Sequence, residues 1–229
     1  MLGLALRLAG LLATLVVLWP EIANATREGL RALVHPSRFR STPGGRDALT
    51  VLLASIPTAV LGSFLHAELG RTPATPLAVG LGFLGTATAL VLAHFAGRGD
   101  RDQPTLRGAL LLGVAQGLSA MPGLSRSGST LAVALLLGLR PLRAFELSLL
   151  ISLPALVGSS VLDARSLWGV PVSGELSSAL VGGLAALATG MLALHALRGL
   201  VVRRRLAWFA FWLGPLSLAT LALGIAWPS

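Results

Sequence analysis

Seven apolar stretches constrain what this chain can become. They fall near residues 2–19, 48–66, 76–95, 109–139, 144–162, 176–197 and 207–227. Most have the roughly 17–25 residues a helix needs to cross a bilayer. In hydrocarbon only helices and closed barrels satisfy every backbone N–H and C=O. The chain is 54% hydrophobic and only 12% charged, about half the charged fraction of soluble domains. It reads as an all-α polytopic membrane protein, a single transmembrane domain over residues 1–229. Leu8 to Trp19 reads as a first spanning helix rather than a cleaved leader. Only Arg7 precedes it, and the small-residue run Ile22-Ala23-Asn24-Ala25 comes after Pro20 and Glu21.

The 109–139 stretch breaks the pattern. It is too long for one crossing and is interrupted by Pro122, Gly123 and Gly128. Two half-length helices meeting at a polar tip, entering and leaving on one side, fit it better than a full span. Irregular backbone at that depth is tolerated only where protein buries it or where it lines a cavity. The expectation is six spanning helices plus one re-entrant hairpin at 109–139.

Arginine placement tests that expectation. All 18 basic residues are arginine, and the formal net charge is +9. If the hairpin returns to the side it entered, one side carries the loops 20–47, 96–108, 140–143 and 198–206, with five, three, two and four arginines. The other side carries Arg71 and Arg165 alone. Arg7 and Arg126 lie inside apolar stretches. This asymmetry predicts cytoplasmic arginine-rich loops and an exterior C-terminus; a single crossing at 109–139 would destroy it. The same placement explains the basic balance without nucleic acid as a partner. The absence of cysteine excludes disulfides, a thiol nucleophile and thiolate metal sites.

Three spans precede the hairpin and three follow it. One hairpin plus three spans, used twice, is inverted in the membrane because three is odd, an arrangement known for sites that handle polar substrate groups. Here residues 1–95 form a first unit without its hairpin, and residues 109–227 a second unit with it. The echo between Ser55-Ile56-Pro57 and Ser152-Leu153-Pro154 falls on non-corresponding spans and is discounted.

The hairpin's centre carries the chemistry. Met121-Pro122-Gly123-Leu124-Ser125-Arg126-Ser127-Gly128-Ser129-Thr130 sets one permanent cation among four hydroxyls and two glycines. An arginine within the bilayer costs roughly 2.5–3.5 kcal/mol on insertion scales unless it meets a wet cavity or an anion. Ser125, Ser127, Ser129 and Thr130 can donate hydrogen bonds, and Gly123 and Gly128 permit close backbone approach. The composition suits a phosphate cradle.

Those residues, followed by Leu135-Leu136-Leu137-Gly138-Leu139-Arg140 and by Ala144-Phe145-Glu146-Leu147-Ser148-Leu149-Leu150 with Pro154, closely resemble the undecaprenyl-diphosphate phosphatase (bacitracin-resistance) family. Its pattern there is Pro-Gly-x-Ser-Arg-Ser-Gly-x-Thr, a glycine-bounded helix, then Ala-x-Glu-Phe-Ser-Phe-Leu-Leu. Weaker similarity covers Ile56 to Gly62 and Leu6 to Leu15. The resemblance implies a multi-pass enzyme of the bacterial inner membrane with two hairpins. It would remove the terminal phosphate of undecaprenyl diphosphate and so recycle the lipid carrier of cell-wall synthesis. In that reading Arg126, Ser125 and Ser127 are catalytic and Gly123, Gly128, Ser129 and Thr130 hold phosphate. Glu146, near the start of the following helix, supports them or simply caps that helix. The lipid diphosphate and the membrane are the implied partners, and a homo-oligomer is left open.

The family's first hairpin carries Glu-x-x-x-Glu and Pro-Val-Ser-Ser-x-Gly-His, and neither occurs in these residues. Aligning Leu6 to Leu15 places Met1 after that hairpin. The resemblance implies a divalent cation, magnesium or calcium, but no ligand set for it is found here, and Arg7 stands where the family often has histidine. Slow or absent hydrolysis is therefore expected. The alternative is a polyprenyl-phosphate binding or translocating protein that keeps the cradle without hydrolysing. His66, His94 and His195 fall near span ends and His35 in a loop. Glu21 and Glu28 read as a solvated face, and Gly182-Gly183 and Gly80-x-Gly82 as close helix packing. Trp19, Trp208 and Trp227 mark segment ends, as an interfacial belt would.

Overall fold

The computed structural model describes residues 2–69, 74–97, 99–166 and 176–226; Arg71, Arg98 and Trp227 lie outside these. Ten helices occur among the described residues, with no strand. They are α1 (Leu2–Val17), α2 (Trp19–Val34), α3 (Arg38–Ser41), α4 (Pro43–Leu69), α5 (Pro76–Phe95), α6 (Leu106–Leu118), α7 (Arg126–Leu136), α8 (Pro141–Ser166), α9 (Leu176–Val202) and α10 (Ala207–Ala226).

Five of them, α4, α5, α8, α9 and α10, contain apolar stretches of at least 20 residues, long enough to cross a membrane. The sixth apolar helix, α1, is shorter and meets α2 at an 81° bend. Leu18 makes the corner, and Pro20 occupies the first turn of α2, where its missing N–H costs nothing. The 20–47 segment, read from sequence as a loop, is thus largely helical. α2 is amphipathic: Ala25 and Ala32 are buried on one face, and Glu28, which lies between them on that side, pairs with Arg31 at 2.8 Å and with Arg38 of α3 at 3.1 Å. A hydropathy scan for spans passes over such a helix because its apolar residues recur with helical period instead of running together.

The broken 109–139 stretch forms two helices, α6 and α7, joined by a turn over 119–125. Its two ends lie together. The N–H of Arg101, just before α6, donates to the Gly138 carbonyl at 3.1 Å, and the N–H of Arg140, just after α7, donates to the Arg101 carbonyl at 2.9 Å. A hairpin tied at its base in this way enters and leaves on one side. Gly138 makes the reversal at φ +80°, a backbone region that disfavours a side chain. On the same side Arg204 donates to the carbonyls of His94 and Ala96, so a cation caps the C-terminal end of α5.

Around the hairpin the helices meet through small residues, as expected where lipid offers no hydrophobic drive and close packing decides association. Gly113 and Gly117 of α6 lie against Ala54, Pro57 and Leu61 of α4. Gly80 of α5 lies against Leu221 of α10, whose Ser217 donates to the Gly80 carbonyl at 2.9 Å. Leu112 of α6, Leu131 of α7 and Phe145, Leu147 and Ile151 of α8 form the centre of the core. Large apolar side chains such as Leu184, Phe211, Trp212 and Ile225 face outward, where lipid receives them. The Gly80-x-Gly82 pair serves close packing, as the sequence suggested.

Candidate functional site

The hairpin tip is locked before any functional group is considered. Gly123 has φ +80°, and a side chain there would overlap the Val79 carbonyl oxygen of α5. Opposite it, a side chain at Gly82 of α5 would overlap the Pro122 carbonyl oxygen. Backbone therefore touches backbone, and glycine alone allows it. Thr86, fully buried on α5, accepts from the Ser125 N–H at 3.0 Å and donates to the Gly82 carbonyl at 3.1 Å.

That lock sets the start of α7. Ser125 is its N-cap, with an extended backbone and a side-chain oxygen accepting from the Gly128 N–H at 3.2 Å. Gly128 is small because a Cβ would press on that Ser125 oxygen at 2.9 Å. Arg126 is the first residue of α7. The first N–H groups of the helix and its positive dipole end point the same way, which favours an anion.

Arg126 opens on a cavity of about 450 Å³ walled by the hairpin, α4 and α8. Ser55, Thr58, Ser63 and His66 of α4 line it, with Gln116 of α6, Ser119 just after that helix, and Pro154 and Ser159 of α8. Several wall hydroxyls are answered within the protein. Ser55 donates to the Val51 carbonyl at 2.7 Å, and Thr58 donates to the carbonyls of Ala54 and Gly113 at 2.8 and 3.0 Å. The Arg126 guanidinium has no hydrogen bond or ion pair among the described residues. Arg7 of α1 is near enough for its charge to act on that of Arg126. The two arginines that sit inside apolar stretches thus approach one another.

The structure separates the other cradle residues. Ser127 sits partly exposed in the first turn of α7. Ser129 is 6% exposed, and its hydroxyl lacks a partner. Thr130 is fully buried and donates back to the carbonyls of Arg126 and Ser127 at 2.9 and 3.3 Å, which commits its proton to the helix itself.

Glu146 lies elsewhere. It accepts from Arg143 at 2.5 Å, and Arg143 also donates to Asp47 of α4 at 2.6 Å. Gln103 donates to the same Asp47 oxygen at 2.7 Å. This knot is at the hairpin's base, at the far end of α7, whose 11 residues span about 16 Å. The structure thus places Glu146 in a structural network and not beside Arg126. Sequence pointed to it because it follows the motif closely, but α7 carries the chain back to the base in between.

A divalent cation finds no ready home. No group of three or more His, Asp or Glu side chains suited to a metal occurs among the described residues, and the buried carboxylates Asp47 and Glu146 are committed to Arg143. The residues present do not fit the cation that the resemblance implies.

Gln116, His66, Ser63 and Ser119 were not singled out as site residues from sequence. Each sits in an otherwise apolar or helical context, and only the packing of α4 against α6 brings them to one cavity.

Comparison with known proteins agrees with this architecture. The profile of the family described as bacitracin resistance protein BacA matches residues 1–219. An undecaprenyl-diphosphatase of Korarchaeum cryptofilum is 36% identical over 218 residues, covering 93% of this chain and 80% of that protein. One from Parabacteroides distasonis is 30% identical over 223 residues, covering 96% and 81%. A third, from Salinibacter ruber, is 31% identical over 205 residues, covering 88% and 76%. With a helical hairpin in a polytopic helical fold and a profile match over nearly its whole length, the chain belongs to the bacitracin resistance protein BacA family.

Proposed function

We propose that this protein removes the terminal phosphate of undecaprenyl diphosphate, with Arg126 as the group that receives the phosphate. The observation that carries the reading is an arginine with no hydrogen bond or ion pair among the described residues, at a helix N-terminus, opening on a cavity within an apolar fold. The relatives' name, undecaprenyl-diphosphatase, points to the same substrate. The binding or translocating alternative has no comparable support.

In this reading the guanidinium fork takes two nonbridging oxygens, a geometry that lysine lacks. The first-turn N–H groups of α7 and the hydroxyls of Ser125 and Ser127 add donors. Their shared role is to stabilise charge as the phosphoryl group transfers. His66 brings an imidazole to the same cavity. Gly123 and Gly128 hold the turn, Thr130 stiffens it, and Ser129 has a hydroxyl to spare. The protein would sit in the bacterial inner membrane with its arginine-rich loops cytoplasmic. Two inverted units, 1–95 and 109–227, are supported by packing: α1 lies against α9 and α4 against α8, so first span meets second in both directions, while the third spans α5 and α10 meet each other, a pattern compatible with a two-fold relation.

The test is phosphate release from undecaprenyl diphosphate by the purified chain in detergent. Slow release is expected, because the acidic motif of the family has no counterpart in these residues, and Arg126→Ala should abolish it. Release that survives Arg126→Ala overturns the reading.

A further inference from the structure

Among the described residues, Gln116 is the one side chain with two buried polar atoms left unanswered. It is 2% exposed, and neither its Nε2 nor its Oε1 has a hydrogen-bond partner there. A buried amide left in that condition is destabilising, because the protein gives up hydration and recovers nothing. Two other buried polar side chains of the membrane region, Thr86 and Ser217, are each bonded to a neighbouring carbonyl. Gln116 also lines the cavity that Arg126 opens on. It belongs to α6, whereas Arg126 begins α7, so the two arms of the hairpin each contribute a polar group to one space.

We infer that Gln116 is a further substrate-contacting residue of the Arg126 cavity, holding the same phosphoryl group through its side-chain amide. The inference rests on the phosphate reading of Arg126. The chemistry is complementary. Nε2 donates to the nonbridging phosphoryl oxygen that the Arg126 fork leaves free, since a terminal phosphate has three. Oε1 then accepts from the hydroxyl that one of the two fork-bound oxygens becomes when the terminal phosphate is singly protonated, a form present near neutrality since the second pKa of a phosphate monoester is about 6. An internal phosphate esterified on both sides offers no such hydroxyl. Gln116 thereby distinguishes the terminal phosphate from the one bonded to the lipid, which Arg126 alone, as a cation, cannot do.

The inference makes binding and stability move in opposite directions. Gln116→Leu keeps the approximate size and removes an unanswered amide, so the protein without ligand should melt at the same or a higher temperature. Affinity for a lipid diphosphate should fall about tenfold to a hundredfold, as for the loss of a hydrogen bond to a charged group. Gln116→Glu keeps the shape but sets a carboxylate against the phosphate. Its binding should be weaker than that of the leucine variant at pH 8 and recover toward it as the pH is lowered. The experiment titrates the purified chain in detergent with farnesyl diphosphate and farnesyl monophosphate, and includes Arg126→Ala alongside. If Arg126→Ala weakens binding and Gln116→Leu and Gln116→Glu both bind like the parent, the inference fails and the phosphate reading stands. If Arg126→Ala also binds like the parent, the phosphate reading itself fails. Should Gln116→Leu not fold, Gln116→Asn decides. It keeps the amide but shortens its reach, and parental affinity in that variant overturns the inference.

Discussion

The two ends of the hairpin use the same vocabulary to opposite effect. At the base, Arg143 is answered by Asp47 and Glu146, and Gln103 completes the set by donating to Asp47. At the tip, Arg126 and the side-chain amide of Gln116 have no hydrogen-bond or ion-pair partner among the described residues. A charge that the protein itself satisfies holds helices together; one it leaves unsatisfied is available to a ligand. Burial alone does not make the distinction, since the polar side chains at both ends include nearly inaccessible ones.

The sharpest way to break the comparison is at the base. Arg143→Ala strands two nearly buried carboxylates, and removing one partner of such a network typically costs about 3–5 kcal/mol. Thermal unfolding in detergent should show a large fall. Combining Arg143→Met with Asp47→Asn and Glu146→Gln should recover most of it, because no unpaired charge remains. A base that tolerates Arg143→Ala would not be a structural knot.

Arg126→Ala should do the reverse, leaving unfolding unchanged while lipid diphosphate binding weakens by about 2–5 kcal/mol, roughly thirtyfold to several thousandfold. Arg126→Lys keeps the charge without the fork and should fall between that variant and the parent. Titration of both variants checks the order.

The cap and its neighbour should separate by about 1 kcal/mol each. Ser125→Ala removes the N-cap of α7 and should cost about 0.5–2 kcal/mol of stability. Ser127→Ala, which removes one neutral donor, should cost about 0.5–1.5 kcal/mol of binding with unfolding unchanged. Equal effects of the two on stability would show that Ser127 is structural too.

The smallest effect belongs to the exposed pairs of α2. The hydrogen bond from Arg31, and then Arg38, hold the Glu28 carboxyl below its usual range. A carboxylate with a lowered folded pKa contributes stability above its unfolded pKa and loses that contribution as pH falls through the folded value. The melting temperature of the parent should therefore decline slightly more than that of Glu28→Gln as pH is lowered from 6 toward 3.

How much of this was legible beforehand differs between the two ends. The hairpin was readable because a proline and two glycines interrupt an overlong apolar run, and because one arrangement alone keeps the arginines on one side. The placing of Arg126 and Ser125 at the hairpin's polar tip was readable because they are neighbours in sequence. Gln116 was not: in sequence it is one amide in an apolar helix, and its significance comes from what surrounds it in three dimensions. Glu146 is the reverse case, since nearness in sequence to the motif does not survive the return of α7 to the base. The helices within 20–47 were missed because amphipathic periodicity is invisible to a search for spans.

The backbone contact between Gly82 of α5 and the 122–124 turn has a mechanical consequence. α5 is itself packed along α10, so the cationic floor of the cavity is joined to two long helices and has little freedom to move toward a substrate. The opposite wall is different, for α4 and α8 each carry an internal proline, Pro57 and Pro154, which removes a helix hydrogen bond at the level of the cavity. Under the proposed function, a lipid headgroup would meet a fixed anvil on one side and a pliant wall on the other, so its admission and release would fall to bending of α4 and α8.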